Sequence, residues 1–264
     1  MLSRPFAAAL VLAGLMTLPA AAQDFVPHKA AYAVNALDHG KLGAPIGNYA
    51  YELRLTCEAY VITQRLRLDA GGVTEQQSQM TESRDGRTLQ FEHRSMVNGK
   101  QTSLTKGEAV LDDKGVGQAH FSQPEGQTAA LMAGTMFPIA IARATVRHAK
   151  ENDGGFDGLF FYGEKPKPSQ AVNTLIGRVP KRHAGIKIPD GADALVKGRS
   201  QIYYRAGFFD ADGKSKGERA TFEMSSLILD NGIELWGTHE EGDNGGGIEY
   251  SITRLEAVPL PTCK

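Results

Sequence analysis

The strongest constraint on this fold is a two-residue period that recurs along the chain. Tyr60 to Asp69 places Ile62, Gln64, Leu66 and Leu68 on one side, and Val61, Thr63, Arg65 and Arg67 on the other. Successive side chains of a strand point to opposite faces, so this pattern belongs to β structure. Tyr49–Thr56, Thr88–Met96, Ser200–Phe209, Arg219–Leu229, Ile233–His239 and Gly246–Val258 read as strands too. Asp85-Gly86, Asn98-Gly99, Asp212-Gly213 and Asn231-Gly232 stand between such stretches. Asp and Asn before Gly accept the positive φ of tight hairpin turns. The series predicts about eleven or twelve strands in sequence-adjacent hairpins, an antiparallel meander. No fixed repeat is evident, which argues against a propeller or solenoid.

One stretch breaks the pattern. Pro138 to Asn152 contains no turn residues, and Pro138 suits the first helical position. Ile139, Ala142, Val146 and Ala149 share one face, while Ala140, Ile141, Ala144 and Thr145 leave little of the other side polar. The spacing predicts a helix buried nearly all round, with Ala142 and Val146 under the sheet and Arg143, Arg147 and Lys150 seeking solvent or partners. The expected architecture is a mainly β, curved antiparallel sheet wrapped around one long helix. No linker-like stretch divides it, so residues 23–264 read as one domain.

The first residues read as an export signal. Arg4 supplies the positive charge, Phe6–Leu18 the apolar run, Pro19 the break and Ala20-Ala21-Ala22 the cleavage site. An apolar run of roughly 13 residues is short of the ~20 that span a bilayer. Cleavage after Ala22, with Gln23 as the new N-terminus, predicts a periplasmic product. No later run is apolar enough to span a membrane. With 29 Lys+Arg against 30 Asp+Glu, the chain lacks the basic excess of a nucleic-acid binder.

In an oxidising compartment the two cysteines, Cys57 and Cys263, favour one structural bridge; two unpaired thiols are the alternative. The bridge would close a loop of roughly 207 residues, which the chain-entropy argument values at about 5 kcal/mol as an upper guide.

Motifs for chemistry mostly fail. Gly213-Lys214-Ser215 has Phe208 where a phosphate-binding loop needs glycine, and a hairpin turn explains it better. Gly245-Gly246-Gly247 precedes a strand rather than a helix. The seven histidines form neither HxH nor HExxH, so no metal or cofactor is expected. His239-Glu240-Glu241 could serve acid–base chemistry, but a polar strand end is the plainer reading. Lys165, Lys167, Arg178, Lys181, Arg182 and Lys187 occur with no acidic residue among them. They are candidates for binding anionic lipid headgroups, cell-wall polymer or an acidic protein; a solvated loop is the alternative.

Taken in order, these residues carry a resemblance. Val26-Pro27-His28-Lys29-Ala30-Ala31-Tyr32, Tyr51-Glu52 ahead of Cys57, Tyr60, Gln64-Arg65, Asp85-Gly86, Phe91 and Asn98-Gly99 line up in sequence. Phe137-Pro138, Phe156-Asp157-Gly158 and Leu229-Asp230-Asn231-Gly232-Ile233 follow, before Cys263. The chain resembles the envelope integrity protein B family. Glu58-Ala59 and Ile139-Ala140-Ile141 depart from that family's Asp-Gly and Thr-x-His. The resemblance implies a periplasmic, disulfide-linked β-spiral around a helix, needed for cell-envelope integrity and without known catalysis. It also implies a half-open, barrel-like shape similar to periplasmic lipoprotein carriers. The expected function is non-enzymatic binding of an envelope protein or peptide, the alternative being carriage of a lipid or lipoprotein acyl chain.

Overall fold

The computed structural model describes residues 25–183, 185–210, 220–241 and 246–263. The export segment, the Asp212-Gly213 turn, Gly213-Lys214-Ser215 and Gly245 lie outside these residues. Fifteen strands occur among the described residues. The first eight are β1 (His28–Asp38), β2 (Lys41–Leu55), β3 (Ala59–Asp69), β4 (Val73–Ser83), β5 (Thr88–Val97), β6 (Lys100–Leu111), β7 (Gly117–Gln123) and β8 (Gln127–Leu131). The short β9 (Thr135–Met136) leads into helix α1 (Pro138–Glu151). Six more follow: β10 (Gly155–Phe160), β11 (Gln170–Gly177), β12 (Gln201–Phe209), β13 (Phe222–Leu229), β14 (Glu234–Glu241) and β15 (Gly246–Ala257).

All fifteen form one sheet. Its order is β8-β7-β6-β5-β4-β3-β2-β1-β15-β14-β13-β12-β11-β10-β9. The centre is therefore the pairing of β1 with β15, and the free edges are β8 and β9, only a short turn apart in sequence. The sheet curls into a nearly closed barrel. Register shifts mark where strands bend, as at Ala31/Tyr32 and Lys106/Gly107. All pairings are antiparallel except β9 with β10, where the chain returns through the helix.

The strand count exceeds the sequence expectation for a local reason. β1 turns into β2 at His39-Gly40, both with positive φ but without an Asx-Gly signature, and β8 to β10 are short. Of the expected turns, Asn98-Gly99 has both residues at positive φ, as a two-residue hairpin requires. At Asp85-Gly86 and Asn231-Gly232 only the glycine is positive, and each loop spans four residues.

Helix α1 ends where expected, with Asn152 in the left-handed conformation as its C-cap. Its start has no side-chain cap of its own. Instead the Glu82 carboxylate on β4 accepts the Ile139 and Ala140 N–H groups at 2.7 and 2.9 Å, which satisfies two orphan donors from outside the helix. Arg143 donates to the Tyr60 hydroxyl and the Arg84 carbonyl, which ties the first turns to β3 and the β4–β5 loop. Ile139, Ala144, Thr145 and Val146 are buried, whereas Ala142 is only partly covered and Arg147, Lys150 and Glu151 are exposed. The expectation of burial nearly all round, with Ala142 fully beneath the sheet, is corrected accordingly. Ala142 and Ala149 pack only against the edge of the core cluster, and the side that carries Arg147, Lys150 and Glu151 is left to solvent.

Cys57, in the β2–β3 loop, is bonded to Cys263 in the tail after β15, with an S–S distance of 2.04 Å and Cα atoms 5.6 Å apart. The tail also donates from Val258 N–H to the Pro27 carbonyl, so it crosses the end of β1 to reach β2.

Candidate functional site

Strand alternation aims one set of side chains into the barrel. Seven of the chain's eight tyrosines are in that set or meet it: Tyr32 on β1, Tyr49 and Tyr51 on β2, Tyr60 on β3 beneath the helix, Tyr204 on β12, Tyr250 on β15, and Tyr162 just after β10. Glu234, at the start of β14, lies among them. Its Oε1 accepts hydrogen bonds from the Ser226 hydroxyl and, at 3.1 Å, from Tyr250, while its backbone carbonyl accepts from the Tyr32 hydroxyl at 3.0 Å. Tyr32 packs on Tyr49 at 5.2 Å between ring centroids, and both meet Tyr250 edge-on. Gly237 makes this possible: a Cβ there would sit 2.3 Å from the Tyr250 hydroxyl oxygen.

The electrostatics follow from enclosure. Burial pushes the Glu234 carboxyl up to about 7, against the lowering pull of the Ser226 and Tyr250 hydroxyls. Burial, with Glu234's charge as a further cause, raises the hydroxyls of Tyr32, Tyr49, Tyr51, Tyr204 and Tyr250. Five tyrosines from four strands therefore sense one carboxylate. Burial also brings His239, within 3.2 Å of the Tyr250 hydroxyl, down to about 4, so it stays neutral. His239 is thus part of the interior rather than a polar strand end, while Glu240 and Glu241 lie toward the rim.

A second polar group continues the layer. Tyr162 donates to Gln64, whose amide nitrogen donates to the Tyr49 hydroxyl at 3.0 Å. The Ser78 hydroxyl lies 2.9 Å from His93 Nδ1, and His93 Nε2 lies 2.9 Å from the Tyr162 carbonyl. A Ser–His pair is half of a nucleophilic device. Here the orienting group is a backbone carbonyl, not a carboxylate. Ser78 sits mid-ladder between β3 and β5, so the neighbouring amides are committed to strand pairing and cannot form an oxyanion hole.

The six basic residues are all exposed and fall into two groups along the chain, one on either side of strand β11. Lys165 and Lys167 precede this strand, which spans roughly 25 Å, and Arg178, Lys181, Arg182 and Lys187 follow it. Lys167 is paired with Asp210 at 3.9 Å. The second group rides on a segment that is anchored rather than a loose solvated loop. Val179, Ile186, Ile188 and Leu195 pack over Leu227 and Trp236, the His183 ring lies 3.9 Å from the indole of Trp236, and the buried Asn231 amide donates to the Leu195 carbonyl at 2.8 Å. Proximity in sequence concealed the split, because a strand carries consecutive loops to opposite ends.

Two hollows open to the surface. One, of about 440 Å³, gathers Ala149, Lys150, Ile176, Arg178, Gln201 and Asp230 at the C-terminal end of α1. The other, of about 640 Å³, is mostly apolar and lies beside the disulfide, between Phe25, Pro27, Leu55, Val258, Leu260 and Pro261. His148, Glu151 and Asp153 come within ligand distance of one another, a local grouping at i, i+3, i+5 that motif reading passed over. His148 Nδ1 is already engaged by Asp153 at 2.8 Å, and its ring stacks on Phe156. Sequence reading also missed Glu234 and the tyrosine ring. The available signal was tyrosine at the same strand phase in Tyr49 and Tyr51.

No described helix is long and apolar enough to cross a membrane. A crystal structure titled as a beta-barrel-like protein of the domain of unknown function DUF1849, from Brucella abortus, superposes with a TM-score of 0.73 at 21% identity, covering 89% of this chain and 99% of that one. It shares the barrel-like fold. No curated protein matches. The profile of the EipB-like family matches residues 19–235, most of the chain, and the chain belongs to that family.

Proposed function

We propose that this chain is exported, loses residues 1–22, and acts as a single-domain periplasmic protein that supports envelope integrity by binding, without catalysis, an acidic segment of an envelope protein or peptide. The observation that carries this reading is the anchored basic segment. Arg178, Lys181 and Lys187 project from a stretch fixed on the outer face of β13 and β14, and none of the three has an ion pair among the described residues. Fixed cations lose little freedom on meeting a partner, and exposed charge steers association.

A second reading, carriage of an acyl chain, is favoured by the apolar hollow beside the disulfide, where Leu260 is 70% exposed. The barrel interior does not support it, since hydroxyls and a carboxyl line the space there. The two readings part in one experiment. A strain lacking the gene is complemented with the triple variant Arg178→Glu, Lys181→Glu, Lys187→Glu or with Val258→Asp, at matched protein abundance. Under the partner reading, only the charge-reversed variant fails to restore detergent resistance, and it loses cross-linking to one stoichiometric protein. Failure of Val258→Asp alone, with acyl mass on the wild type in native mass spectra, would establish the carrier instead.

A further inference from the structure

Tyr49, Tyr51, Tyr162, Tyr204 and Glu234 point inward from strands on different sides of the barrel, yet each keeps partly accessible surface. Inward side chains keep surface only where the interior is not filled, so these residues line open space. The hydrogen-bonding inventory agrees. Among the described residues, both donors to the Glu234 carboxyl go to Oε1, and the Tyr51 hydroxyl has no partner. Neither Glu234 Oε2 nor the Tyr51 hydroxyl is sealed from solvent-sized space. No Lys or Arg is paired with Glu234 among the described residues, and no cation is among the causes acting on its carboxyl. The other enclosed carboxylate, Glu82, contrasts: two helix N–H groups and Arg143 compensate it.

We propose that the barrel interior is a binding site for a small organic cation, an alkyl- or quaternary ammonium group, held by the Glu234 carboxylate against the faces of Tyr49, Tyr51 and Tyr204. An ammonium group supplies the charge the protein leaves out. Electron-rich ring faces attract a cation most strongly when it is desolvated, which an enclosed space enforces. Gly237 contributes by letting Tyr250 reach Glu234, so that Oε1 is held while Oε2 has no protein donor among the described residues. The site lies inside the barrel and does not depend on the surface partner proposed above.

The charged form of Glu234 is needed, so binding should weaken on acidification. Glu82, which acts on Tyr51 and is itself held at about 7 by burial, changes state over the same range, so Glu234→Gln is the variant that separates the two carboxyls. His28, against the Tyr51 ring, is lowered by burial, and the groups facing Glu234 keep their state. Tyr32 from β1, Tyr49 and Tyr51 from β2, Tyr204 from β12 and Tyr250 from β15 are raised by burial and stay neutral, as does Tyr162 at about 12. His239 from β14, lowered by burial, is neutral as well.

The test is calorimetric titration of the purified protein with tetramethylammonium and choline chlorides at pH 8, against sodium chloride at equal ionic strength and tert-butanol as the neutral mimic. Saturable binding of at least one organic cation but not of tert-butanol is expected, weakened by roughly tenfold at pH 5.5 and by at least as much in Glu234→Gln. Tyr49→Phe keeps the ring face and should bind; Tyr49→Leu should not. Chemical-shift changes confined to residues near Glu234 would locate the site even if one variant folds poorly. Absence of binding by either cation, equal binding by Glu234→Gln in its folded state, or equal binding of tert-butanol would overturn the proposal.

Discussion

Replacing Glu234 with Gln should stabilise the protein, and only at neutral to alkaline pH. Burial pushes the Glu234 carboxyl up to about 7 in the folded chain, from an ordinary value of 4.5. A raised carboxyl binds its proton more tightly in the folded than in the unfolded chain. Its contribution is therefore fully present below pH 4.5 and lost as pH rises through 7. At pH 8 the wild type must hold a carboxylate in surroundings that prefer the neutral acid, at a cost of about 3 kcal/mol. Gln is neutral at every pH, and its carbonyl can accept from Ser226 and Tyr250 as Oε1 does. Glu82, also near 7, and the lowered His28, His93 and His239 are common to both proteins and largely cancel in the difference. Urea unfolding followed by Trp236 fluorescence should show Glu234→Gln more stable by about 3 kcal/mol at pH 8, shrinking to about 1 kcal/mol or less at pH 5. A variant less stable than wild type at pH 8, or a difference that does not move with pH, would refute the reasoning.

Other expected outcomes concern the frame around this site. Cys57→Ser and Cys263→Ser should be equally destabilised, by at most about 5 kcal/mol, with the double variant no worse; thermal melts of all three check this. Glu82→Ala leaves the buried Ile139 and half-buried Ala140 N–H groups at the start of α1 without their acceptor and should cost about 2–4 kcal/mol in denaturant melts, with loss of protection at both in hydrogen exchange. Val146→Asp should cost several kcal/mol, and Ala142→Glu clearly less, because Val146 is 7% exposed and Ala142 only partly covered. Gly237→Ala should force the Tyr250 ring away from Glu234 and cost about 1–3 kcal/mol, with changed tyrosine signals near Glu234 in NMR spectra.

The sequence by itself determined the local chemistry of the chain. Alternation in Tyr60–Asp69 set a strand, Asn98-Gly99 a two-residue turn, and Pro138 with the absence of breakers a helix ending at Asn152. Each depends on neighbours a few residues away, where steric and hydrogen-bonding preferences act directly. Tertiary structure decided what meets across the barrel. The pairing of β1 with β15 joins residues more than two hundred positions apart, and nothing in either strand alone specifies it. The cap on α1 is a glutamate 57 residues earlier in the chain, so a search for a local N-cap finds none. Lys165 and Lys187 are close in sequence, yet strand β11 intervenes and the segment that carries Lys187 packs over Leu227 and Trp236. Conversely, Tyr32, Tyr49, Tyr204, Glu234 and Tyr250 have no shared motif, and curvature alone brings them together. Strand phase sets which side of the sheet a residue faces, and only closure of the sheet sets what it faces.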